Sequence, residues 1–347
     1  YALEDPELLS SLGLVEQFGI NGHNARLTDV SPASQQGRLD ETKRNLETLR
    51  RYDRASLEVQ QKLSYDVLEW FLQNNVDGER WQWHNYPVNQ LFGVQSGTPD
   101  FIVQIHRLNT EQDAEYYVSR MAAIAPKFDQ VLEGLKIREA KGIVPPRFVI
   151  EKVLSEMRGF IGGPAADNVL HKNFKEKLDK LSALPESQRT ELLERGRQKI
   201  EQEVYPAYQQ LIAYFETLLP KVTENYGVWK LPDGDAYYDY EVASNTTTQL
   251  TAEEVHQIGL GEVNRIEMEM DAILRAQGLT EGSIGARVTQ LNADPRYLYS
   301  NDDAGREQAL KEYQRLIDEV SAGLDSSFNL RPKMGVKVER IPVFKEK

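Results

Sequence analysis

The sequence contains no cysteine, which removes disulfides, thiolate nucleophiles, cysteine zinc fingers and iron–sulfur ligation in one step. Histidine is scarce: His23, His84, His106, His171 and His256 are the whole set, and no two stand four apart. The His-Glu-x-x-His zinc helix is therefore absent, as are Gly-x-Ser-x-Gly and the phosphate-cradling Gly-x-x-x-x-Gly-Lys-Ser/Thr loop. No window approaches the roughly 18 consecutive apolar residues that a bilayer span requires. Basic runs are missing too. With 54 acidic against 41 basic residues and a formal charge of −13, nothing here neutralises a phosphate backbone, so nucleic acid is not an expected partner.

The 347 residues, 40% of them hydrophobic and 9% aromatic, suffice for one large or two average globular cores. Apolar spacing of three and four dominates. Leu63, Val67, Trp70 and Phe71 share one helical face. Ala114, Tyr117, Val118, Met121 and Ile124 share another, behind a Thr110/Asp113 start that reads as a capping box. Pro126 suits the first turn of the next helix, whose apolar face is Phe128, Val131, Leu132 and Leu135. The longest pattern covers residues 187–219, with Ile200, Val204, Tyr208, Leu211, Phe215 and Leu218 three or four apart. Pro206 lies inside it, lacking an N–H, so a kink is expected there. A further helix is expected over residues 304–322.

Two stretches break the periodicity. Residues 79–100, ERWQWHNYPVNQLFGVQSGTPD, are aromatic and aperiodic and predict a long ordered loop. Near the carboxyl end Val336, Val338 and Arg340 alternate with Lys337 and Glu339 ahead of Pro342, which predicts a strand. An unpaired strand edge is unfavourable, so its partner is expected in sequence beyond Lys347. The expected fold is all-α: a multi-helix array of mostly antiparallel helices with a long aromatic loop and minor β structure at the carboxyl end. Residues 1–347 form a single helical region with no evident internal boundary.

One Glu-x-x-His occurs, Glu253 and His256, at the start of a helix. Thr251 and Glu254 complete a capping box there, and Glu253 sits in a first turn that favours acids, so helix initiation accounts for both carboxylates. A carboxylate-bridged di-metal bundle needs a second Glu-x-x-His and two further Glu, and the second motif is missing. On the same helix Val255, Gly259, Val263, Ile266, Met270 and Ile273 form the expected buried stripe, with Glu262 at its margin. Glu262 either lays its stem across the apolar face with its head in water or serves a site. For ligand contact the candidates are Trp83, His84 and Tyr86 beside Trp81, the amide of Asn89, and Tyr237; burial of these rings as anchors for the loop is the competing role. No catalytic residue and no metal ligand is assigned in this chain.

Four stretches in order resemble the bacterial family known as domain of unknown function 885. They are YPVNQLFGVQSGTPDF (residues 86–101), DAEYYVSRM (113–121), GIVPPRFVI (142–150) and the run from the TTT of residues 246–248 through GLGEVNRIEMEM (259–270). That family resembles the thermolysin-like zinc peptidases, and its helical build is similar to that of the carboxypeptidase-Taq and angiotensin-converting enzymes. The resemblance implies zinc for a full-length protein, held by a His-Glu segment followed closely by Pro-Gly-His in a carboxyl-terminal half. Nothing in this chain matches that motif, so neither zinc ligands nor a general base are carried over, and no cofactor is expected in this chain.

The resemblance thus implies an amino-terminal helical portion of a larger peptidase-like domain, inactive alone, with a peptide as the implied ligand. A non-enzymatic helical envelope protein that binds a peptide or protein partner is the alternative. The resemblance also implies a periplasmic or envelope location. The chain opens at Tyr1 rather than Met, so an amino end that was processed, cut or left out is expected, with room for a removed export signal or a lipid anchor.

Overall fold

A computed structural model describes residues 4–222 and 224–340. Among these all regular structure is helical and no strand occurs. The chain divides into two compact units, Tyr1–Ala252 and Glu253–Lys347.

The helices of the first unit are α1 (Pro6–Leu12), α2 (Pro32–Leu49), α3 (Val59–Asp77), α4 (Val94–Gln104), α5 (Glu111–Ala122), α6 (Ile124–Ala140), α7 (Arg147–Ile161), α8 (Val169–Asp179), α9 (Glu186–Lys199), α10 (Tyr205–Leu218) and α11 (Gly234–Thr246). Their boundaries follow local chemistry. The Thr110 hydroxyl accepts from the Asp113 N–H at 3.1 Å, and the Asp113 carboxylate accepts from the Thr110 N–H at 2.9 Å, closing the expected capping box of α5. The faces read for α5 and α6 are buried, with Ala114, Tyr117, Val118, Met121 and Ile124 meeting Phe128, Val131 and Leu135 in one core, whereas the face read for α3, Leu63, Val67, Trp70 and Phe71, is exposed. Ile200, Val204, Tyr208, Leu211, Phe215 and Leu218 join the same core. Each such side chain contributes about 1.5–3 kcal/mol on leaving water.

The two prolines inside helices are handled differently. Ahead of Pro206 the chain widens into a π turn, Ile200–Val204, in which the Tyr205 N–H bonds the Ile200 carbonyl. The helix thus enters α10 with Pro206 in its first turn, where a missing N–H costs little. In α4, Pro99 cannot donate to the carbonyl of Gln95 four residues earlier. The hydroxyl of Tyr208 donates to that carbonyl instead, so the lost helix bond is replaced by one from α10. Because α4 begins at Val94, the aromatic loop expected over residues 79–100 is shorter than its composition suggests.

A second anchor is polar. Arg120 on α5 is wholly buried, and its guanidinium donates to His106 Nδ1 (2.9 Å), Ser10 Oγ (2.5 Å), the His23 carbonyl (3.3 Å) and the Arg26 carbonyl (3.1 Å). It lies over Phe101, 4.9 Å from the ring centre. One side chain thereby ties Ser10, His23 and Arg26 to α5.

In the second unit lie α12 (Ala252–Ala276), α13 (Ile284–Asn292) and α14 (Asp303–Gly323). Arg287 ties α13 to α12 through Asp271 Oδ1 (2.5 Å) and the Leu279 carbonyl (3.2 Å). The expected minor β structure at the carboxyl end is not found among the described residues. The Gln314 side chain takes both backbone groups that a strand partner would use, donating to the Val336 carbonyl at 3.0 Å and accepting from the Val338 N–H at 2.9 Å. A side-chain amide carries the same donor and acceptor as a peptide, so alternation alone did not require a second strand. Pro342 lies outside the described residues. The stripe on α12 also departs from expectation: Leu274 is buried, but Val263, Ile266 and Ile273 are exposed.

Candidate functional site

The aromatic candidates converge in the first unit. α3 runs into a 3₁₀ turn, Gly78–Trp81, and the chain then crosses to the segment leading into α11. His84 Nε2 lies 2.9 Å from the Pro232 carbonyl, a bond across almost 150 residues of sequence. A carbonyl only accepts, so Nε2 carries the proton, and in the neutral ring Nδ1 is an acceptor, buried and without a partner. Around the imidazole, Trp81 meets its face edge-on at 4.9 Å between centroids, Tyr237 lies at 4.9 Å, and Trp81 and Tyr237 are 5.5 Å apart. Three rings interlock.

The backbone that presents them is specialised. Asp233 adopts φ 50° just before α11, a left-handed conformation that Asp tolerates better than most residues. Gly234 follows it, where an added Cβ would sit 2.3 Å from the Val228 carbonyl oxygen, so only glycine fits. Asn89 is committed to the loop: its Oδ1 accepts from the N–H groups of Leu91 and Phe92, both at 2.9 Å, while its Nδ2 donates to the Tyr86 carbonyl at 2.9 Å. That is the Asx pattern of a turn.

Cations back the rings. Arg138 lies 4.9 Å from the Trp83 ring centre and donates to the carbonyls of Asn85 (3.0 Å) and Gly134 (3.0 Å) and to Asn85 Oδ1 (2.6 Å). Burial lowers its guanidinium to about 10. Arg80 covers Trp81 at 4.1 Å, and Lys230 stands 5.5 Å from the Tyr86 ring while donating to the Val144 carbonyl at 2.8 Å. Burial pushes the Tyr86 phenol up to about 12. Burial, then the nearby Glu241 carboxylate, does the same for Tyr237. Both phenols therefore stay protonated at neutral pH, and that of Tyr237 is hydrogen-bonded to Glu241. Trp83, Tyr86 and Tyr237 are half-buried, leaving part of each ring to a ligand. Trp81, His84 and Tyr237 thus form an aromatic shelf with Tyr86 near Tyr237, while Trp83 is held against Arg138.

Glu262 lies in the second unit, exposed and paired with Arg265 through bonds of 2.7 and 2.9 Å. His256 is exposed on the same helix. The remaining histidines have structural partners: His23 with Glu16 (3.1 Å), His106 with the Asp113 carbonyl (2.9 Å) and Arg120, and His171 with the Ala166 carbonyl (3.2 Å). Among the described residues no group of three or more His, Asp or Glu side chains could hold a metal ion. The zinc implied by family resemblance thus has no matching ligand set in them, and no chemical step is assigned to it.

Sequence reasoning missed Pro232, Arg138 and Lys230, because nothing local marks a carbonyl or a cation that meets a ring from far along the chain. It also missed a cavity of about 430 Å³ between α3 and the turn after α11, lined by Arg50, Asp66, Glu69, Trp70, Tyr240 and Thr247 among others. Thr247 there adopts φ 56°, unusual for a β-branched residue.

The family described as "Bacterial protein of unknown function (DUF885)" matches residues 6–347. No curated protein matches the chain. Among solved structures, one described as a "putative lipoprotein" from Colwellia psychrerythraea is similar over 99% of this chain and 61% of its own, with 26% identity and a TM-score of 0.89. Another, a "putative lipoprotein of unknown function" from Shewanella oneidensis, is similar over 97% of this chain and 60% of its own, with 14% identity and a TM-score of 0.59. The second likeness concerns the fold alone. The chain therefore spans about three fifths of the length of each.

Proposed function

The chain belongs to the DUF885 family of bacterial proteins of unknown function, and from that premise we propose that it is the non-catalytic, amino-terminal helical portion of a zinc-dependent peptidase-like protein of the cell envelope. In this reading it supplies one wall of a peptide-binding cleft, and any hydrolytic centre belongs to polypeptide outside this chain. The observation that carries the reading is the aromatic shelf. Trp81, His84 and Tyr237 are locked ring against ring, while Trp83, Tyr86 and Tyr237 keep partly open faces beside protonated phenols. Such a surface holds a peptide by stacking and by donating to its carbonyls, and does no acid–base work at neutral pH.

The lipoprotein description of the Colwellia relative supports envelope placement with a lipid anchor. No helix among the described residues is long and apolar enough to cross a membrane, so attachment through such an anchor fits this reading.

The test uses the complete gene product. With Trp83→Ala and Tyr237→Phe, KM for a peptide substrate should rise about fivefold while kcat stays within about twofold, the signature of lost ground-state binding. A fall in kcat with KM unchanged would place these rings at the reacting centre and contradict the proposal. Peptide binding without turnover would replace it with the non-enzymatic envelope reading.

A further inference from the structure

The second unit carries an apolar surface that its own helices leave open. On α12 Val263 is 55% exposed, Ile266 44% and Ile273 63%, at the three- and four-residue spacing of one face. On α14 Tyr313, Leu316 and Val320 repeat the pattern, all exposed. Leu274 is the one buried hydrophobic side chain among the described residues of this unit.

The polar faces, by contrast, are finished. Arg265 bridges Glu262 and Glu269, and Arg315 bridges Glu312 and Glu319, each three and four residues away. On α12 Ile258, Leu260 and Met268 are exposed as well, off this stripe. Isolated helices are marginal in water, and most of their stability comes from packing an apolar face. Contiguous exposed stripes of this kind mark interaction surfaces.

What covers the stripes is indicated by length. Similarity to the Colwellia structure runs through 99% of this chain yet reaches only 61% of that one, so that relative carries a large further portion. We infer that the stripes of α12 and α14 are the docking face for that further portion of the same polypeptide, which meets them with an apolar surface of its own. Arg265 and Arg315 are already engaged by carboxylates of their own helices, so apolar contact is the main attraction these two faces offer. The inference rests on the proposal that this chain is one part of a longer protein, and not on the peptidase assignment.

Hydrogen exchange tests it. Amides of residues 255–275 should exchange at least about tenfold more slowly in the complete gene product than in this chain alone, because covering the stripe adds an opening step. A Val263→Asp/Ile266→Asp double variant should restore fast exchange in the complete product and leave exchange in this chain unchanged. Equal exchange in the two wild-type proteins would overturn the inference, and that comparison needs no variant to fold. Protection in this chain that grows with protein concentration would also overturn it, in favour of a second copy as occupant. So would a gene ending at Lys347. Zinc content and peptidase activity of the same samples report separately on the proposed function: protection without turnover would sink the peptidase reading and leave the docking face standing.

Discussion

At the scale of single residues, Arg120 and His106 form a buried, hydrogen-bonded pair of titratable side chains. Burial first, and the Arg120 charge second, push the His106 imidazole from its ordinary 6.5 down to about 3. A group whose folded value lies below its unfolded one adds stability that is complete above the unfolded value and drains away as pH falls. Here the window runs from 6.5 towards 3, with a slope of about 1.4 kcal/mol per pH unit. Urea denaturation at stepped pH should show this component in the wild type and not in His106→Gln. Arg120→Met should cost about 3–5 kcal/mol in the same assay at neutral pH, since it strands several buried acceptors at once. A loss below about 1 kcal/mol would mean that water reaches them. Neither residue announces itself in the sequence, because a histidine and an arginine fourteen apart acquire their bond only when α5 folds against the segment before it.

Among the elements, periodicity identified which side chains share a face and said nothing of whether the face is covered. The faces of α5, α6 and α10 are buried as their spacing suggests. Leu63 and Val67 on α3 share a face equally well and are 57% and 59% exposed, while Leu72 turns inward. Leu63→Gln should therefore change unfolding free energy by less than about 0.5 kcal/mol, whereas Ile150→Ala in the core should cost about 2–5 kcal/mol. Thermal and chemical denaturation of the two variants separates them directly. The same limit explains the aromatic loop and the carboxyl-terminal alternation. Composition marked Trp83, His84, Tyr86 and Tyr237 as candidates for ligand contact, but the Pro232 carbonyl that orients His84 and the Gln314 amide that replaces a strand partner are long-range contacts. Sequence spacing carries no record of them.

For the whole molecule, the helical class and the family both follow from order and periodicity along the chain, and the chain covers about three fifths of its structural relatives. Its histidines are dispersed among structural bonds rather than gathered. The proposal that this chain serves recognition, and that any hydrolytic centre lies in polypeptide outside it, is the claim to be tested. The direct measurement is metal analysis of the purified chain, residues 1–347, after incubation with zinc and desalting, alongside a peptidase assay. The account predicts less than about 0.1 zinc per chain and no turnover, because tight zinc binding needs a preorganised ligand set. One zinc per chain, lost together with peptidase activity in His84→Ala, would contradict it.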